Sequence, residues 1–144
     1  MSENGNRIIS SLCYKDATAA IAWLEQAFGF TPHMVVPGEQ EGDVRHSQII
    51  APDGRSMIML FTVREEDGFA NSQNPPSVLG GSNQSLYLVV DEVEAHYARA
   101  KAAGAETVMP PTAQDYGGSC YTIRDPEGHI WSFGDYDPWR SCIK

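Results

Sequence analysis

Two apolar rhythms alternate along this chain in one order, and the order occurs twice. Residues 1–6 read as frayed, and Ile8 to Tyr14 as a strand. Ala20, Ile21, Leu24, Ala27 and Phe28 then recur at three and four residues, the mark of one apolar helix face. Asp16 stands where an N-cap belongs, its carboxylate able to accept from first-turn amides, and Gly29 is the stop. Phe30 to Val36 predicts a second strand, closed by Pro37-Gly38 and an acidic turn (Glu39, Glu41, Asp43). Val44 to Ile50 and Met57 to Val63 then form a hairpin around Ala51-Pro52-Asp53-Gly54, where proline pre-sets one turn dihedral and glycine accepts a positive one.

The second pass begins with a strand from Ser85 to Val90. Asp91, with Glu94 three residues on, makes a capping-box-like helix start. Val93, Tyr97 and Ala100 give the buried stripe, which stops at Gly104. Glu106 to Met109 predicts a strand ending at Pro110-Pro111. Tyr116-Gly117-Gly118 turns into the last hairpin, with Tyr121, Thr122 and Ile123 before the turn Asp125-Pro126-Glu127-Gly128 and Ile130, Trp131 and Phe133 after it.

Four landmarks recur at one offset, within a residue. Pro52 and Pro126 lie 74 apart, as do Gly54 and Gly128; Asp16 and Asp91 lie 75 apart, as do Gly29 and Gly104. A repeat of this kind means two copies of one structural unit. The expected fold class is therefore α+β, two tandem βαβββ modules spanning residues 7–63 and 85–136, with a tail over 137–144. Residues 64–84 are polar, with Pro75-Pro76 and Gly80-Gly81. Their length suits a module linker, or a lid over a site.

Composition narrows the partners. The net charge of −9 disfavours nucleic acid and anionic membrane surfaces, which select basic patches. It leaves a neutral or cationic ligand. The longest apolar runs fall well short of a membrane span, and the polar N-terminal segment has no apolar signal core, so the expectation is a cytoplasmic protein. Cys13, Cys120 and Cys142 are odd in number and lack CxxC spacing; they read as reduced thiols.

The modules, with Tyr14-Lys15-Asp16 entering a helix that ends in Phe28-Gly29-Phe30, resemble the vicinal oxygen chelate superfamily. The Tyr116-Gly117 step and the run Asp125 to Gly134 sharpen the likeness to its glyoxalase/bleomycin-resistance-like branch. The resemblance covers nearly all of residues 8–138. It implies curled mixed sheets whose concave faces form a ligand cavity, usually in a homodimer. Metal-using members place His, Gln or Glu ligands on those faces, on the first and last strand of each module. The matching positions here are Ile9, Ser85, Ser132, and Ile58 or Met59. None is a usual ligand for a hard dication. Expected cofactors are therefore none. His46, on the third strand, is the histidine best placed for a site, since this branch often carries one there; a structural role fits it equally. His33 reads as a strand-edge residue, His96 as exposed on its helix, and His129 as capping the hairpin.

Strand alternation, keeping the former ligand positions inward, sketches the cavity wall. Ile9, Ser11 and Cys13 face in; so do Met57 and Met59, or the opposite parity; so do Ser85 and Tyr87, and Ile130 and Ser132. Tyr121 and Ile123 join them as candidates, while Trp131 and Phe133 face the helix layer. The ligand-binding candidates are Ser11, His46, Met59, Tyr87, Tyr121 and Ser132, the alternative being that they fill a collapsed core. Cys13 as a nucleophile with His46 as base is conceivable, but a buried inert thiol is the commoner case. The favoured function is a metal-free protein that holds a hydrophobic or cationic small molecule. The alternative is a divalent-metal-dependent glyoxalase-like lyase or isomerase.

Overall fold

In the computed structural model, which describes residues 5–64 and 72–140, the first helix starts and stops where the sequence puts it. The Asp16 carboxylate accepts the Ala19 amide at 3.0 Å and starts helix α1 (Ala17–Phe28). Gly29 ends it at φ 73°, a left-handed conformation that a side chain would oppose. The first unit, Met1–Gly80, adds strands β1 (Ser11–Tyr14), β2 (Thr31–Pro37), β3 (Val44–Ile50) and β4 (Met57–Thr62). They lie in the order β1-β4-β3-β2, with β1 parallel to β4 and the other neighbours antiparallel.

The second unit, Gly81–Lys144, repeats this plan with β5 (Ser85–Val89), β6 (Glu106–Ala113), β7 (Ser119–Arg124) and β8 (Ile130–Gly134). Their order is β5-β8-β7-β6, again with one parallel pair, β5 with β8. A helix of ten residues, Val93–Ala102, packs on this sheet. A short helix in the first unit, α2 (Pro76–Leu79), precedes it in the chain, so the longer one is α3. The fold is α+β, with one mixed four-stranded sheet and one packed helix in each βαβββ module.

Each sheet buries the face turned to its helix. In the first unit Leu12, Tyr14, Ile49, Ile58 and Leu60 meet Ile21, Leu24 and Phe28 of α1. In the second, Tyr121, Ile123, Trp131 and Phe133 form the covered face, and Val93 and Ala100 are the buried residues of α3. Trp131 and Phe133 thus lie on the helix side, as their alternation predicts.

Four local expectations change. The first strand begins at Ser11, not Ile8, and Ile8 is 92% exposed. Asn6, expected to be frayed, accepts the Met57 amide and donates to the carbonyls of Ile8 and Met57. The Asp91 capping box does not form: α3 starts from Glu92 with no side-chain cap. Strand β6 runs through Pro110-Pro111 to Ala113 instead of stopping there. It is an edge strand with two register shifts, where residues lacking an N–H are tolerated.

Of the predicted linker or lid, residues 65–71 lie outside the described residues. Residues 72–80 belong to the first unit, where Gln73 Nε2 donates to the Ser11 carbonyl at 3.1 Å. Trp139 in the tail is 97% exposed.

Candidate functional site

Register, which no sequence pattern states outright, decides which side chains share a wall. Residues directly opposite on neighbouring strands point to the same face. In the first unit Ser11 pairs with Met59, Met59 with Gln48, and Gln48 with Met34. One row therefore crosses all four strands on the face away from α1. Met57 and His46 lie two residues along from Met59 and Gln48, on that same face. Of the two parities open for β4, the one that sets Met57 and Met59 beside Ser11 is the one adopted.

The second unit builds the corresponding row from Tyr87, Ser132, Thr122 and Met109. Beside it run Ser85, Ile130, Arg124 and Glu106. Arg124 and Glu106 close that row with an ion pair of 2.6 Å.

Thus Ser11, Met59 and His46 share the open face of one sheet, and Tyr87 and Ser132 share that of the other. Tyr121 does not join them. It pairs with Phe133, is fully buried, and bonds through its hydroxyl to His96 Nδ1. Its pKa is pushed up by burial and then by Tyr97, so it stays a neutral phenol in the helix-side core. The reason is strand phase: Tyr121 and Ser132 sit on opposite parities of a hairpin whose partners are Tyr121–Phe133 and Thr122–Ser132. Ile123 follows Tyr121 into the core. Ile9 lies before β1 and outside the sheet.

Polar contacts fix parts of both rows. His46 Nε2 and Gln48 Nε2 are 3.1 Å apart, an amide N–H meeting an unprotonated ring nitrogen. The hydroxyls of Thr122 and Ser132 bond at 2.7 Å. Tyr87 is 41% exposed, and its hydroxyl donates to the Tyr136 carbonyl at 2.7 Å. Burial, then the neighbouring Cys120, Tyr116 and Asp135, push its pKa up to about 12, so it is a donor across the physiological range. The ring needs room over β8, and Gly134 supplies it: a Cβ there would lie 2.6 Å from the Tyr87 hydroxyl and 2.7 Å from the Cys120 Cβ.

Sequence reasoning missed Met34, Gln48, Thr122 and Met109. Gln48 was within reach, two residues from His46 on one strand. Thr122 was hidden by the wrong phase given to Tyr121. Met34 and Met109 lie on strands with register shifts, where alternation fails.

The remaining histidines contribute elsewhere. His33 is exposed on edge strand β2, and His129 is buried beside the last turn. His96, expected to be exposed, is half-buried with its ring 4.3 Å from that of Phe133. Burial, with the Arg99 charge adding to it, holds its pKa down at about 4.

A divalent ion fits this donor set poorly. Thioethers and hydroxyls occupy Met59, Ser11, Ser85 and Ser132, and His46 with Gln48 offers only two suitable donors. Among the described residues, no group of three His, Cys, Asp or Glu could hold an ion.

The paired βαβββ plan, with one mixed sheet and one packed helix in each copy, defines a duplicated α+β fold. The sequence profile of the Glyoxalase/Bleomycin resistance protein/Dioxygenase superfamily matches residues 7–133, and the chain belongs to that superfamily. An uncharacterised protein of Mycobacterium bovis is 32% identical over 127 residues, covering 85% of this chain and 78% of its own. The crystal structure of TioX from Micromonospora sp. ML1 is similar at TM-score 0.69 and 25% identity, covering 96% of this chain and all of that one. TnmS3, an antibiotic binding protein from Streptomyces sp. CB03234, has the same fold at TM-score 0.67 and 21% identity, covering 93% and 98%.

Proposed function

We propose that this chain is a metal-free small-molecule-binding protein that holds a hydrophobic or cationic ligand against the open faces of its sheets. The row Ser11–Met59–Gln48–Met34 carries this reading. It offers polarizable thioethers to an apolar body and a few polar groups for orientation, the usual make-up of a ligand wall. Tyr87 and the Thr122–Ser132 hydroxyl pair add a ring edge and further orienting groups on the second unit. The net charge of −9 favours a cation over an anion on these faces at long range. Antibiotic binding in a protein of the same fold supports the reading by analogy. The proposed working form is a cytoplasmic homodimer, with neither nucleic acid nor membrane as partner.

A thermal-shift and fluorescence screen against quinoxaline, glycopeptide and mitomycin-type compounds tests it. Stabilisation by at least one compound, weakened by Met59→Ala and Tyr87→Ala, is the expected result. No stabilisation at saturating ligand counts against it. The His46–Gln48 pair keeps the metal-dependent lyase or isomerase as a second reading. Stoichiometric zinc or nickel in purified protein, with activity lost on chelation and regained on metal return, would replace the first reading with the second.

A further inference from the structure

The first unit has a polar cleft that the open-face row does not touch. It lies where β1 and β4 end and the β2–β3 loop folds over, and its volume is about 560 Å³. That is the size of an ordinary small-ligand pocket and larger than a bare inorganic ion needs. Lys15, Arg45 and Arg64 line it, with Glu39, Asp43 and Thr62. Among the described residues that line it are three of the chain's ten Lys and Arg residues and two acids. Cations outnumber acids among these described lining residues, on a chain whose net charge is −9.

The cleft wall is built by backbone bonds. Gly38 N donates to the Asp43 carbonyl at 2.9 Å, and Asp43 N to the Gln40 carbonyl at 3.0 Å. Thr18 Oγ1 on α1 donates to the Gly42 carbonyl at 2.7 Å and ties the loop to the helix. Gly38 has no room for a side chain, because a Cβ would lie 2.7 Å from the Asp43 Cβ. On the sheet side, Thr62 Oγ1 accepts the Val44 amide at 2.9 Å.

We propose that this cleft binds a small organic oxyanion, with a phosphate or carboxylate group held by Arg45, Arg64 and Lys15. Guanidinium forks match both anions in a bidentate manner, and the lysine adds a mobile point charge. Glu39 and Asp43 set a limit on the ligand. They repel a molecule that is anionic throughout, and they accept hydrogen bonds from hydroxyl or amino groups on its uncharged part. The ligand class is therefore a monophosphate or carboxylate carrying hydrogen-bond donors.

Isothermal titration of the full chain with glycerol 3-phosphate, gluconate and inorganic phosphate tests this, with backbone amide shifts recorded alongside. The expected result is that one or both organic anions bind more tightly than inorganic phosphate and move the amides of residues 38–45 and 62–64. Which of the two wins separates a phosphate site from a carboxylate site. Lys15 and Arg45 are exposed, so Lys15→Ala and Arg45→Ala leave the core intact. Arg45→Ala should weaken binding about tenfold, equivalent to about 1.4 kcal/mol. Lack of binding by all three anions, binding unaffected by both variants, or shifts confined to other strands would each overturn the proposal. Met59→Ala, on the open-face row, should leave anion binding unchanged, so this result stands or falls apart from the proposed function.

Discussion

The two hairpin turns open on the same four-residue bend and put a carboxylate to opposite uses. In the second unit Asp125 opens the turn. It is 4% exposed and accepts from Glu127 N and His129 N, both at 3.0 Å, and from the Trp131 indole at 3.2 Å. In the first unit the same place holds the buried Ala51, and the acid has moved two positions on, to Asp53. Asp53 is exposed and accepts from Arg55 N, Ser56 N and the Ser56 hydroxyl. Gly54 and Gly128 both adopt positive φ and donate to the residue that opens the turn, each at 2.9 Å. One carboxylate thus ties turn to core, whereas the other ties the turn only to itself. A shared turn shape does not imply a shared energetic role.

Substitution of both acids is the strongest way to sharpen this contrast. Asp125→Ala leaves two amides and an indole N–H without their acceptor, and should cost about 3 kcal/mol in urea unfolding. Asp53→Ala should cost about 1 kcal/mol, because water replaces what it loses. Equal costs would erase the distinction. Asp53 also carries a pH signature. Burial pushes its pKa up, but the Ser56 hydroxyl, the two amides and Arg55 together pull it below the usual value. The stabilisation is present above the ordinary carboxylate range and fades as pH falls through the lowered pKa.

The second test concerns β4 against β8. At one point of the open face the first unit places Phe61, opposite Cys13, and the second places Gly134, opposite Val89. One fills the space from the last strand of its module, the other with Tyr87 reaching in from the first strand. Gly134→Ala should therefore destabilise by about 2 kcal/mol and displace the Tyr87 ring, seen as a changed tyrosine environment in near-ultraviolet circular dichroism. Thr122→Val removes the bond to Ser132 at nearly constant shape and should cost about 1 kcal/mol. A neutral outcome would mean that this hydroxyl pair serves a ligand more than the fold.

The smallest effect is a slope. His96 is neutral in the fold, with a pKa of about 4 against 6.5 when free. The unfolded chain then binds more protons between these values, so this contribution is complete above pH 6.5 and declines as pH falls toward 4. His96→Gln should flatten the difference in melting temperature across that window. The first unit has no histidine on α1 and supplies the control.

Local chemistry was legible in the sequence: the Asp16 cap, the Gly29 stop and both turns act within four residues of themselves. So was the duplication, because it rests on those signals. Pairing was less legible. Ser11, Met59, Tyr87 and Ser132 fell on the right faces by alternation, but nothing nearby in sequence set the phase of Tyr121 against Ser132. His96 was misplaced although its spacing gave it away. It lies three residues after Val93 and four before Ala100, on the stripe that α3 buries. The Arg45 and Arg64 cleft was unreadable because a loop, two strand ends and a helix start assemble it from distant parts of the module.

The first turn is one residue longer than the second. Ala51 bonds back across it to Ser56, and Asp125 to His129. The spacing between equivalent positions thus drops from 74 at the turn opening to 73 on the strand that follows, where Met59 matches Ser132. A gene that doubled itself could gain or lose a codon at this bend without turning either sheet inside out. Each copy was then free to repaint its own wall while the scaffold beneath kept its shape.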